Sequence, residues 1–187
     1  MADAVDLWRD LEARLLTILR WKQNEERLKG KTPEERAREL VAEIRAAFIG
    51  DPQLRSLSGP ARFLRNAALP AEKGNDPYGG WWFNEVALAI ISERTSSWPM
   101  PAEHGRNVER HLLRQRLAIS YDWNPMKGIW LLEIPAGETL PGIIGRTAEQ
   151  PTYSHGRPEH DPSWRFPGGE TQIYFPVINP LWVTFYE

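Results

Sequence analysis

The sequence predicts an α+β protein: a helical segment over residues 1–50, then a region of short, mostly antiparallel twisted strands over residues 51–187. Three observations predict it. Apolar residues recur at helical spacing through about residue 50. All but one of the sixteen prolines, the exception being Pro33, fall after that point. Short apolar runs bounded by turn residues then cluster toward the C-terminus.

Residues 4–28 read as an amphipathic helix. Val5, Trp8, Leu11, Leu15, Leu16, Ile18 and Leu19 recur at helical spacing, with charges between them. Gly30 ends it. Thr32-Pro33-Glu34-Glu35 then supplies an N-cap, a proline at the first helical position and a capping-box glutamate. The second helix runs through Leu40, Val41, Ile44, Ala47 and Phe48 to Gly50. Ten basic and ten acidic side chains lie in residues 1–50, mostly as a solvated face. The sequence marks no chemistry in this segment, which reads as a cap, a docking element or the place where a larger protein would join.

Beyond residue 50 the candidate strands are Ala61–Arg65, Trp81–Phe83, Arg116–Tyr121, Ile129–Ile134, Ile143–Arg146, Gln172–Phe175 and Trp182–Tyr186. Helical stretches are expected at Asn84–Glu93 and Gly105–Gln115. The polar, Pro-, His- and Gly-rich segment Ala148–Arg165 reads as a long loop, a length often used for functional lids.

Composition bounds the function. At 187 residues the chain is long enough for one domain with a real core. There is no long apolar run of the kind that crosses a membrane as a helix. The acidic N-terminus lacks the basic region of a secretory signal, so a cytoplasmic protein, or one moved between compartments by a route that ignores classical signals, is expected. There is no cysteine, hence no disulfide framework and no thiol nucleophile. The net charge of −2, without a basic block, does not favour nucleic acid as the principal partner. Seven of the nine tryptophans lie beyond residue 50, where they can fill a core or build a platform for a planar ligand.

The richest stretch is Phe166-Pro167-Gly168-Gly169-Glu170-Thr171-Gln172-Ile173-Tyr174-Phe175-Pro176, a Gly-Gly turn feeding a short strand. Alternation places Glu170 and Gln172 on one face at the strand mouth. The adjacent glycines would let another molecule approach closely. The plain alternative is a solvated strand edge, which needs polar residues to block aggregation.

Three places together resemble the ADP-ribosyltransferase fold, and within it the NAD-glycohydrolase toxins of the tuberculosis-necrotizing-toxin type. Phe63-Leu64-Arg65-Asn66-Ala67 resembles the arginine-bearing first strand. Tyr78-Gly79-Gly80-Trp81-Trp82-Phe83 is similar to the aromatic strand that floors the nicotinamide pocket, without the usual Ser-Thr-Ser. Pro167-Gly168-Gly169-Glu170-Thr171-Gln172 resembles the Gly-Gly-x-Thr-Gln ending, and the segment from Trp130 to Gly137 the preceding strand and turn. The resemblance spans about residues 60–185.

It implies an NAD-consuming enzyme. Cleaving the nicotinamide–ribose bond passes through an oxocarbenium-like ribose, as in glycoside hydrolysis. An arginine would hold the diphosphate in a bidentate pair. Arg65 is favoured by context, with Arg62 and Arg116 as further candidates and Arg146 beside them. Tyr78, Trp81, Trp82 and Phe83 are the candidate aromatic contacts to nicotinamide; Trp81 and Trp82 alternate, so one of the pair belongs to the core. Gln172 would hold a ribose hydroxyl, and Glu170 would supply charge or activate an acceptor. Glutamine in the last place favours water as the acceptor, giving NAD hydrolysis. Mono-ADP-ribosylation of a protein or nucleic acid is the alternative. A toxin of this kind implies a cognate immunity protein and delivery into a target-cell cytoplasm.

His155, His160 and Asp161 invite a metal reading, but no cysteine completes such a site and Pro158 stands between the histidines. No metal is expected. There is no phosphate loop, His-Glu-x-x-His or nucleophile elbow. The rival from another class is a non-catalytic protein-binding module, such as an immunity or structural protein, with a Trp-rich contact surface.

Overall fold

The computed structural model describes residues 4–22, 28–67, 80–85, 110–121, 126–153, 161 and 163–186. Helix α1 spans Ala4–Lys22 and α2 spans Pro33–Ala46. Residues 110–116 form a further helical stretch, α3. The strands are β1 (Phe48–Ser58), β2 (Ala61–Ala67), β3 (Trp81–Asn84), β4 (Gly128–Ile134), β5 (Thr139–Thr147), β6 (Gln150–Pro151), β7 (Arg165–Phe166), β8 (Thr171–Tyr174) and β9 (Val183–Tyr186).

Seven of these strands form one sheet in the order β1-β5-β8-β3-β2-β4-β9. Every ladder between its strands is antiparallel. The class is therefore α+β, as composition and patterning predict.

The helices begin where local chemistry directs. Thr32 caps α2: its Oγ1 accepts from the Glu35 N–H at 3.2 Å, and the Glu35 carboxylate accepts from the Thr32 N–H at 2.8 Å. These hydrogen bonds hold the Glu35 carboxyl below its usual pKa. The helix stops at Ala46, earlier than the expected Gly50, and Phe48 already belongs to β1.

β1 is absent from the sequence expectations. It is an edge strand, exposed along most of its length, and it carries a register shift between Ile49 and Gln53 where Pro52 sits. Neither burial nor alternation marks such a strand in one dimension.

Side chains sort onto two faces of the sheet. On one, Phe63, Trp82, Leu132, Ile134, Leu140, Ile173, Phe175 and Ile178 form a core cluster. On the other, α1 and α2 lay Trp8, Leu11, Leu15, Leu19, Ala37 and Ile44 against Phe48 and Ile143, with Trp81 and Tyr174 packed alongside. The helical segment thus shares a core with the sheet. Leu113 within α3 and Leu117 just beyond its end pack with Phe83 and Met126 farther along the sheet.

The expected strand Arg116–Tyr121 is instead the end of α3. The Ile119 N–H bonds the Arg114 carbonyl at 2.9 Å and the Ala118 N–H bonds that of Gln115 at 3.3 Å. This is a Schellman cap, with Ala118 left-handed at φ 48° where glycine is usual. The apolar run Leu117-Ala118-Ile119 is short enough to serve as a strand or as a buried helix stop, and burial against α3 decides. Residues 86–93 and 105–109 of the other expected helices lie outside the described residues. The loop expected over Ala148–Arg165 is closed at its base by β6 pairing with β7.

The Gly-Gly turn is present, with Gly168 at φ 65° and Gly169 at φ 91°. Its close neighbours are the protein's own backbone. A Cβ on Gly168 would stand 2.6 Å from the Thr147 carbonyl oxygen and 2.7 Å from that of Ala148.

Gly168→Ala should therefore destabilise the fold by about 2 kcal/mol or more, from backbone strain and contact together. Gly137→Ala, at φ 85° but with open space around it, should cost only about 1 kcal/mol. Urea unfolding of both variants measures the difference. Ala118→Gly should raise stability by up to about 1 kcal/mol in the same assay, because it relieves the left-handed alanine.

Candidate functional site

A cleft of about 690 Å³ opens on the helical face of the sheet, between the end of α2 and the end of α3. Its volume falls in the usual range for small-molecule sites, ~300–1,000 Å³. Glu43, Ala46 and Ala47 line it from α2 and its cap, and Leu117, Ala118 and Ile119 from the α3 cap. Trp81, Phe83, Asn66, Thr147 and Gln172 line it from the sheet, with Arg65, Ala148 and Gln150 completing it.

Strand register explains that set. Trp81 faces Tyr174 across the β3–β8 ladder, and Gln172 lies two residues from Tyr174 on the same face. Gln172 pairs with Gly145, and Thr147 lies two residues beyond Gly145. Phe83 pairs with Leu64, and Asn66 lies two residues beyond Leu64. Five residues distant in sequence therefore share a face.

Arg65 reaches the cleft differently. The β2–β3 ladder ends at Leu64↔Phe83, whereas β2 continues to Ala67 against β4. Arg65 and Asn66 are the first residues past that last pair, and both line the cleft.

The walls are held by hydrogen bonds centred on Thr147, whose side chain is fully buried. Its Oγ1 donates toward the Arg116 carbonyl at 2.9 Å, with the Glu170 carbonyl at 3.2 Å. Its N–H donates to the Glu170 carbonyl at 2.9 Å, and its own carbonyl accepts from the Gly169 N–H at 2.8 Å. The Gly168 N–H reaches the Gln115 carbonyl at 3.0 Å, joining the turn to α3.

Arg114 braces the same region from behind. Its Nη1 donates to the carbonyls of Ile119 (3.0 Å) and Ser120 (2.8 Å), and its guanidinium lies 4.6 Å from the centre of the Tyr121 ring. Burial pushes the Arg114 pKa down from its ordinary value.

The sequence-predicted residues separate into two groups. Arg65, Trp81, Phe83 and Gln172 come together in the cleft. Trp82 does not: it is 0% exposed in the opposite core, the alternate of Trp81 on the strand. Arg62 is exposed and is not a cleft residue; its guanidinium pairs with Glu133 at 3.1 Å and lies 3.9 Å from Glu85.

Arg116 is exposed and contributes its carbonyl, not its guanidinium, to this region. Arg146 likewise turns to the protein itself, its Nε donating to the Gly169 carbonyl at 3.0 Å. Tyr78, His155 and His160 lie outside the described residues. The Asp161 carboxylate accepts from the Ser163 N–H at 2.8 Å and from its hydroxyl at 2.7 Å, which lowers its pKa.

Glu170 differs from expectation. It precedes β8 in a bend, where strand alternation does not apply. Its N–H goes to the Arg116 carbonyl at 3.2 Å, its carboxylate accepts from the Thr171 N–H at 3.3 Å, and it does not line the cleft.

Sequence reasoning missed Glu43, Asn66, Thr147 and Gln150. Glu43 sits in a helix that reads as uniformly charged on its outer face, and no local signal separates it from its neighbours. Asn66 lies in the same motif as Arg65, and its sharing a face with Leu64 is the signal that points to it.

No protein-family model, curated protein or solved structure matches the chain.

Thr147→Val keeps the shape and removes the hydroxyl donor. It should cost about 1–2 kcal/mol in chemical denaturation, the loss of a buried hydrogen bond to a carbonyl that retains the Glu170 N–H as a partner.

Proposed function

We propose that the protein is an NAD-consuming enzyme that hydrolyses the nicotinamide–ribose bond, with the core of an ADP-ribosyltransferase-like toxin domain. The observation that carries this reading is that β8, β3 and β2, the strands bearing the three motif segments, are immediate neighbours in the sheet. Gln172, Trp81 and Phe83, and Arg65 from those strands line one cleft.

In this reading Arg65 pairs with the diphosphate, as a planar, permanently charged fork suits a phosphate. Trp81 and Phe83 offer aromatic surface to the nicotinamide ring. The Gln172 side chain holds a ribose hydroxyl and fixes the sugar as positive charge develops. The C–N bond breaks toward the ring, so a cationic pyridinium leaves as neutral nicotinamide without needing an acid. Water adds to the ribose carbon and yields ADP-ribose and a proton.

Glutamine at position 172, in the last place of the motif, supports water over a side-chain acceptor. A toxin of this class would be matched by an immunity protein in its producer, and that pairing belongs to the same proposal.

Purified protein mixed with NAD should release nicotinamide and free ADP-ribose, followed by chromatography. Arg65→Ala and Gln172→Ala should each lower the rate by about 100-fold or more, the scale of losing one preorganised polar contact. Both should keep a native circular dichroism spectrum. A covalent ADP-ribose adduct on a lysate protein or nucleic acid would instead support transfer. Absence of both products would refute NAD consumption and leave a non-catalytic binding role.

A further inference from the structure

Among the described residues lining the cleft, Glu43 is the one carboxylate and Arg65 the one guanidinium. Glu43 comes from α2, in the segment whose charges read from sequence as a solvated face. It sits in the last turn of that helix, just before Ala46 and Ala47, which also line the cleft. Its side chain is 59% exposed, so the carboxylate remains accessible.

Arg36 orients it. One turn pair earlier on α2, the Arg36 Nη1 donates to the Glu43 carboxylate at 2.9 Å and to that of Glu39 at 3.2 Å. The Arg36 side chain is only 12% exposed and does not line the cleft. Arg36 is shared with Glu39, which also pairs with Lys31, so this ion-pair network holds the exposed Glu43 carboxylate in place.

We propose that Glu43 is a specificity-determining residue of the cleft, accepting hydrogen bonds from sugar hydroxyls of a dinucleotide and rejecting one that carries an additional phosphate. The inference rests on the NAD reading above. An ionised carboxylate is an acceptor only, so it matches hydroxyl donors and repels a phosphate. The same chemistry underlies the use of an acidic side chain against an unphosphorylated ribose in other dinucleotide sites. The substrate class is thus NAD and not its 2′-phosphorylated counterpart NADP. The helical segment is then part of the recognition surface as well as of the core.

The test compares nicotinamide release from NAD and from NADP by the full chain and by Glu43→Gln, with binding of each dinucleotide measured by calorimetry. Glu43→Gln leaves Gln as a possible partner for Arg36 and removes the charge. The wild type should prefer NAD by about tenfold or more, since one like-charge contact outweighs the ~1.4 kcal/mol that tenfold represents. In Glu43→Gln the preference should fall to within about threefold, through a lower KM for NADP and a higher KM for NAD. Equal preference in wild type and variant, or a wild-type preference for NADP, would overturn the role of Glu43 while NAD consumption stands. Failure to bind or turn over either dinucleotide would overturn both.

Discussion

The hydroxyl and backbone of Thr147 hold together three pieces of chain that are far apart in sequence. β5 ends at this residue, and from it bonds run to the carbonyl of Arg116 at the end of α3 and to Gly169 and Glu170 in the turn before β8. A buried hydroxyl must find a partner, and here the partners are the Arg116 carbonyl at the helix end, which also accepts from the Glu170 N–H, and the Glu170 carbonyl. Satisfying those groups sets the distance between α3 and the sheet.

The glycines answer to the same constraint. Gly168 has no room for a side chain because Thr147 and Ala148 press against it. Its left-handed backbone aims its N–H at Gln115 and lets the next N–H reach Thr147. The Gly-Gly turn is thus a joint that lets the chain pass close to itself. Its contribution to any ligand is indirect: it delivers Gln172 to the cleft at the start of β8.

The cleft combines an aromatic floor with few charges. Trp81 stacks edge-on against Tyr174 at 5.0 Å and lies 5.4 Å from Phe48, so core packing fixes its position. Polar groups arrive from different elements: Gln172 from β8, Arg65 and Asn66 from β2, Glu43 from α2. An arginine at one wall and a glutamate at another give the cleft electrical polarity without a strong net charge.

Several features were legible in the sequence because their causes are local. The capping box at Thr32 and Glu35, the turn at Gly168 and Gly169, and the separation of Trp81 from Trp82 all follow from short-range rules. The α+β class follows from periodicity and proline distribution in the same way. Arg65 and Gln172 were visible as polar residues at the ends of apolar runs. Tertiary structure alone decided that Leu117–Ile119 is a helix stop and not a strand, that Arg62 and Arg116 stay outside the cleft, and that Glu43 enters it. Those outcomes depend on which strands pair and which helix face meets the sheet. Hydrogen bonding and burial between residues a hundred positions apart leave no local pattern to read.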